Sequence, residues 1–277
     1  MSIAGASDLN ERADLRLGAA GVAPAFRQVA GAGRVCFWHG GSIWIGRSVG
    51  RTEWHAHHAI QIALALDGVC TLRGARDSVW AEFGAAIVRS HRPHQFEADG
   101  VTMAHLFVEP EGAEGRALRE RFAADIAPLP EAQRESMTRL MRAACRDEAS
   151  ADAVIAAARQ AIAELSGGVA PRAAFDPRVA RAIAHVRAHL HAPLSLADAA
   201  AAAALSPGRF RHLFVQQTGT AFRAHVLWLR LIEATEAAMA GASWTQAAHQ
   251  AGFADSAHLS RTFKRMFGVV PATLMRP

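Results

Sequence analysis

Cysteine is scarce in this 277-residue chain: Cys36, Cys70 and Cys145 are odd in number, far apart and in no CxxC pair. A disulfide framework and a zinc ribbon are therefore unsupported, and a cytoplasmic location fits. The chain does not open with a charged stretch followed by an apolar one, as a secretory leader does. No apolar run approaches the roughly 20 residues needed to cross a bilayer, and the alanine runs are too short and too weakly apolar to do so. Acidic residues are in short supply at one end only. Residues 177–277 hold 11 Arg and Lys against 4 Asp and Glu, a balance of +7, whereas residues 1–176 hold 19 against 21, a balance of −2. Disorder is not expected at 51% apolar and 20% charged residues, and the length allows two domains with cores of their own. A basic domain tethered to a near-neutral one is the charge layout of a nucleic-acid reader carrying a separate sensor.

What is present is most informative near the C-terminus. In the stretch 252–268, Asp255 and Ser256 are helix starters, Leu259, Phe263 and Phe267 fall on one face at i, i+4 and i+8, and Gly268 stops the run. The other face carries Ser256, His258, Arg261, Lys264 and Arg265, hydrogen-bond donors and positive charge suited to a DNA major groove. Just upstream, Ser243-Trp244-Thr245-Gln246 has capping-box spacing and opens a short helix ended by Gly252. Helix, glycine turn and helix together predict a helix-turn-helix.

The pattern occurs twice. Ser195-Leu196-Ala197-Asp198 aligns with Ser243-Trp244-Thr245-Gln246, and Phe210, Phe214 and Gly219 align with Leu259, Phe263 and Gly268 at an offset of 49. In the first copy Ser206-Pro207 caps a helix with Phe210, Leu213 and Phe214 inside and Arg209, Arg211, His212 and Gln216 outside. Its turn has Ala204 where the second copy has Gly252, at a cost of about 1 kcal/mol if that residue is left-handed. Residues 221–239 read as one connecting helix, about 30 Å long, close to the roughly 34 Å of one DNA turn.

These residues resemble the AraC/XylS transcriptional regulators over roughly the last hundred positions. The resemblance rests on Gly252-Phe253, Leu259-Ser260-Arg261-Thr262-Phe263-Lys264-Arg265, Phe267-Gly268 and Pro271, with Arg230-Leu231 upstream. It implies that Arg211 and His212 of the first unit and Ser256, Ala257, His258 and Arg261 of the second match base-reading positions. Arg261 is the strongest candidate, because Arg pairs bidentately with guanine; each charged residue could instead touch only phosphate or water.

From Val35 to Val108 short strands alternate with turns, over 35–38, 42–45, 51–55, 59–66, 69–73, 85–89, 94–97 and 101–108, which predicts a small barrel or sandwich with an Asp67-Gly68 hairpin. His55 and His57 share the parity of Ala59, Gln61, Ala63 and Ala65, while Ile60, Ile62, Leu64 and Leu66 take the other face. With His94 they look like the two metal motifs of the cupin barrel, although Gln61 stands where cupin enzymes have Glu and the Pro-x-Gly before the later His is absent. His55, His57, Gln61 and His94 are the candidate effector pocket. No cofactor is firmly implied: the same four could hold a divalent metal, line a metal-free pocket, or simply be satisfied buried side chains.

Periodicity predicts helices over 115–122, 131–147 and 150–165, either of the last two packing on the barrel or forming a two-chain seam; the resemblance favours a homodimer. Ser166-Gly167-Gly168-Val169-Ala170-Pro171 reads as the linker. The expected class is α+β: a cupin-like sensing and dimerising domain at 1–166, a linker at 167–175, and an all-α DNA-binding domain with two helix-turn-helix motifs at 176–277. The expected partners are double-stranded DNA and a small-molecule effector, with no membrane and no catalysis. A cupin metalloenzyme with an appended DNA-binding domain is the alternative, and an architectural nucleoid protein a third.

Overall fold

Alternation along residues 59–66 decides how the first domain is built. In the computed structural model, which describes residues 33–145, 149–168 and 175–275, strand β3 (Ile60–Ala65) is buried on both faces. Ile60, Ile62 and Leu64, with Leu66, pack outward against α2 (Glu131–Ala144) and α3 (Ala151–Ser166) through Met137, Met141, Val154, Ala158 and Leu165. Ala63 and Ala65 face inward, where Leu72, Phe96 and Met103 fill one end of the interior. The apolar faces of α2 and α3 are thus used on the barrel. The lead-in at 1–30 and most of the expected linker lie outside the described residues.

The organising strand is β7 (Gln95–Val108), which runs through Gly100 at φ +69° and joins what the sequence suggests are two strands. Along one edge it pairs with β2 (Gly41–Arg51), from Gly41 opposite Val108 to Arg51 opposite Glu97; along the other it pairs first with β4 (Cys70–Arg73) and then with β3. The remaining strands, β1 (Gly33–Trp38), β5 (Ala81–Phe83), β6 (Ala85–Val88) and β8 (Ile126–Pro128), complete an eight-stranded sheet. A helix α1 (Ala113–Arg121) follows β7.

Two expectations are corrected here. Asp67-Gly68 does not close a hairpin: β3 and β4 are successive partners of one strand, and the Asp67 carboxylate anchors the turn to it by accepting from Thr102 N at 2.6 Å and Thr102 Oγ1 at 2.8 Å. Residues 52–55 do not continue β2. Thr52 N still donates to the Phe96 carbonyl at 2.9 Å, but Glu53 N turns to the Gly268 carbonyl of the C-terminal domain at 2.9 Å, and His55 pairs with His94 in an isolated bridge.

The C-terminal domain follows its local signals closely. Helix α4 (Pro177–Ala188) is capped by Asp176, α5 (Leu196–Ala202) by a Ser195/Asp198 capping box, α6 (Pro207–Thr218) by Ser206, α8 (Trp244–Gln250) by a Ser243/Gln246 box, and α9 (Ser256–Phe267) by Asp255. Gly219 and Gly268 end α6 and α9 in left-handed conformations. Between the two units α7 (Phe222–Met239) buries residues along its whole 18-residue length, from Phe222 to Ala238. Arg230 of α7 donates to the carbonyls of Leu190, Ala192 and Gly252, fixing the second unit's turn against the end of α4. The core of this domain continues into the barrel at Ala59 and Phe107, with Trp44 packed alongside.

Candidate nucleic-acid interface and the cavity behind it

Helices α6 and α9 are built alike. Each buries two aromatic or aliphatic residues one turn apart, Phe210 and Phe214 in α6, Leu259 and Phe263 in α9, and turns its other face outward. On α6, Arg209, Arg211, His212 and Gln216 are all exposed. On α9, Ala257, Arg261 and Arg265 are exposed, Ser256 and His258 are half-buried, and His258 packs edge-on against Phe253 at 5.2 Å. Lys264 is the exception on the polar face: its ammonium lies 2.7 Å from Glu53 of the barrel domain. In each unit the residue at the turn has positive φ, +55° at Ala204 and +75° at Gly252. A Cβ on Gly252 would sit 2.9 Å from the Leu190 carbonyl oxygen and 3.1 Å from the Arg230 guanidinium.

The end of α9 does something that α6 does not. Phe267 packs against Trp44 at 4.6 Å and Phe107 at 5.5 Å between ring centroids, and against Trp228 of α7 at 5.9 Å. With Val269, Thr273 and Leu274 it closes one side of a cavity of about 110 Å³ whose other walls are barrel residues, among them Val35, Ile45, Ser48, Phe96 and Phe107. Gly268 fits under this lid because it has no side chain: a Cβ there would lie 2.6 Å from the Glu53 carbonyl and 2.7 Å from His55 Nδ1.

The structure brings His55, His57, Gln61 and His94 together, the first two on a loop rather than a strand; His55 and Gln61 line the polar end of this space, and His57 and His94 stand behind them. His55, His57 and His94 each donate Nδ1–H to a backbone carbonyl, of Glu53 at 2.9 Å, Ala59 at 2.7 Å and Arg92 at 2.9 Å. That leaves three Nε2 lone pairs pointing inward, the three ligand atoms lying within 4.8 Å of one another. Burial lowers the pKa of all three rings, His55 to about 3, so they are neutral at pH 7. Gln61 Oε1 lies 2.9 Å from His57 Nε2 and 3.1 Å from His94 Nε2, with its amide nitrogen 3.0 Å from His105 Nδ1. In that orientation acceptors face acceptors, and only a cation among them satisfies all four. With the amide turned over, its two N–H groups serve His57 and His94 while its oxygen accepts from His105 Nδ1–H, closing the network with every ring neutral. The donor set thus fits either a divalent ion or a metal-free polar floor.

His105, which the sequence reading does not single out, belongs to this floor. It lies opposite Ala63 on β7, and burial lowers its pKa to about 4. Its parity with Met103 and Phe107 on an inward-facing strand is the signal that could have found it.

Comparison with known proteins adds the wider context. A helix-turn-helix domain model matches residues 199–276. The transcriptional activator RhrA of Rhizobium meliloti (strain 1021) is 32% identical over 119 residues, covering 42% of this chain and 38% of that relative, so the match spans well under half of the relative's length. The crystal structure of ToxT from Vibrio cholerae O395 superimposes on 86% of this chain and 98% of its own with a TM-score of 0.56 at 11% identity; that likeness is one of fold, barrel and helical domain together. The chain thus carries a helix-turn-helix domain at residues 199–276 and is similar over part of its length to a transcriptional activator. A second ToxT structure, from Vibrio cholerae strain SCE256 with an unsaturated fatty acid bound, covers 87% of this chain and 95% of its own at a TM-score of 0.53 and 11% identity. Helices α6 and α9 are the second helices of the two helix-turn-helix units.

Proposed function

We propose that this protein is a cytoplasmic, sequence-specific DNA-binding transcriptional regulator of the AraC/XylS type whose grip on DNA is set by a small molecule in the barrel. The observation that carries the reading is that one residue, Phe267, is both the last residue of the second recognition helix and part of the cavity lid. In this reading Arg211, His212, Ser256, His258 and Arg261 read bases, while Arg209, Gln216, Lys264 and Arg265 contact the backbone and set affinity. The domains are 1–166 and 176–277, joined by 167–175.

The cavity is apolar along most of its wall and polar at His55, Gln61 and His105. It suits a small, largely apolar molecule with one polar end. An occupant larger than about 110 Å³ must displace Phe267 or Leu274. Displacing Phe267 moves α9 and breaks the Lys264–Glu53 pair, freeing Lys264 for phosphate. A metal-binding form of the same pocket is the second reading, favoured by the three Nδ1–H bonds to carbonyls, the usual support of ligating imidazoles. His55, His57, His94 and Gln61 would then hold the ion, which would supply a positive centre for an anionic group of the effector. A homodimer would use the outward faces of α2 and α3 or the barrel edge, since their apolar faces already lie on the barrel.

The test is binding of the full chain to DNA selected from a random pool, followed over a salt series. Affinity should fall steeply, because each neutralised phosphate releases counterions. Salt-insensitive binding, or no enrichment of any sequence, refutes the DNA-reading assignment. The effector arm uses His57→Ala: a response that survives chelation but is blunted by this change marks a metal-free pocket, and loss of bound metal and response together marks the metal form. A response untouched by both rejects the pocket.

A further inference from the structure

A second group of metal-ligand side chains lies away from the cavity, at the seam between the two domains. His58 comes from the loop before β3, Glu111 from the turn after β7, and His225 from α7 of the DNA-binding domain. All three are buried, His58 at 3%, Glu111 at 8% and His225 at 1% exposure. One ligand atom from each lies within 4.8 Å of the others. His58 Nε2 is 2.5 Å from Glu111 Oε1, and His225 Nδ1 is 3.4 Å from the same oxygen.

The hydrogen-bond count in this group is incomplete. Glu111 Oε2 and both ring nitrogens of His225 are buried without a hydrogen-bond partner. Orphaned buried polar atoms of this kind are rare and costly. Among the described residues no lysine or arginine lies against the Glu111 carboxylate oxygens, and the two imidazoles facing it are, with it, ligands for a cation. On its far side His58 Nδ1 meets His91 Nε2 at 3.0 Å, the outer contact that orients a ligating imidazole and leaves Nε2 to face the ion.

We propose that His58, Glu111 and His225 form a divalent transition-metal site of the zinc class that staples the barrel domain to the long helix between the two recognition units. Two imidazole nitrogens and a carboxylate suit such an ion, with Glu111 Oε2 or water completing the coordination. On binding, the ion replaces the proton shared between His58 Nε2 and Glu111 Oε1, which passes to solvent, and the two ligands separate to make room for metal bonds of about 2.0–2.2 Å. His91 is a positioning residue in this site. His225 packs edge-on against Phe214 of the first recognition helix at 5.3 Å, and His58 is the chain neighbour of His57 in the cavity floor. The staple therefore joins the sensing end of the barrel to the first reading unit.

The experiment uses the full chain carrying His55→Ala and His94→Ala, so that the cavity histidines no longer compete, stripped with a chelator and titrated with Zn(II) or Co(II) alone. One ion should bind per chain, and the thermal midpoint should rise with it. Adding Glu111→Gln or His225→Gln should abolish this binding, and His91→Phe should weaken it about tenfold or more. Folding of each variant is checked by circular dichroism. X-ray absorption on the Co(II) form of the starting double variant gives a count that needs no further substitution: two imidazole nitrogens are expected. No ion bound by the double variant, binding unchanged by Glu111→Gln and His225→Gln, or a count other than two imidazoles overturns the site. None of these outcomes bears on whether the chain reads DNA.

Discussion

The two helix-turn-helix units share caps, turns and buried faces but differ in what lies at the end of the second helix. The first unit's α6 ends on Thr218, whose hydroxyl turns back to the Phe214 carbonyl at 2.8 Å. At the equivalent position α9 carries Phe267, which leaves its own unit and enters the barrel's aromatic cluster. The turns differ as well: Ala204 is exposed and left-handed, whereas Gly252 sits beneath the Leu190 carbonyl and Arg230. Only the second repeat has a far end that doubles as the wall of a cavity, so under the proposed function it is the second unit that couples to the effector.

Removing Phe267 should break the contrast most strongly. Phe267→Ala deletes a buried aromatic side chain and should cost about 3–5 kcal/mol of stability in denaturant unfolding of the full chain. Phe267→Thr, which copies the first unit, should also leave DNA binding insensitive to the effector; an effector response of normal size in that variant breaks the comparison. Next in size is base readout. Arg261→Ala should cost about 1–3 kcal/mol at one base pair and relax the selected motif there, Arg211→Ala should do the same about one helical turn away, and Arg265→Ala should weaken all sequences alike. Selection returning an unchanged motif with the Arg261 variant would remove that side chain from base readout.

The turns give a smaller and opposite pair of effects. Ala204→Gly should stabilise the domain by about 1 kcal/mol by relieving a left-handed alanine. Gly252→Ala should destabilise it by more than that, since the added Cβ meets backbone as well as the unfavourable φ. Equal effects at the two sites in thermal unfolding would show the turns to be interchangeable. Smallest is the exposed ion pair between Lys264 and Glu53, worth no more than about 1 kcal/mol. Glu53→Ala should raise effector-free DNA affinity up to about fivefold, and Glu53→Lys should raise it further; no change in a salt-titrated binding curve would mean that the pair does not restrain α9.

The second domain was legible because its determinants are local. Ser195, Ser206, Ser243 and Asp255 each cap the helix that follows them within three residues, and the spacing of Leu259, Phe263 and Phe267 sets a face regardless of the rest of the chain. The barrel was legible in its alternation but not in its pairing. Asp67-Gly68 has the composition of a hairpin, yet partner choice belongs to β7, more than thirty residues away, through Thr102. His55, His57, Gln61 and His94 could be grouped by parity and motif. His105 could not be linked to them without the β3–β7 register, nor could His58, Glu111 and His225 be grouped without the docking of the two domains. The spacing of Phe267 predicts burial on the inner face of its helix; that it packs into the other domain is a tertiary fact with no local trace.

The central claim is that α6 and α9 read one face of DNA together, held apart by α7. Hydroxyl-radical footprinting of the full chain on its selected DNA tests this most directly. The account predicts two protected segments about 10 base pairs apart on one face of the duplex, with Arg211→Ala thinning one and Arg261→Ala thinning the other. A single protected segment, or two on opposite faces, would contradict it.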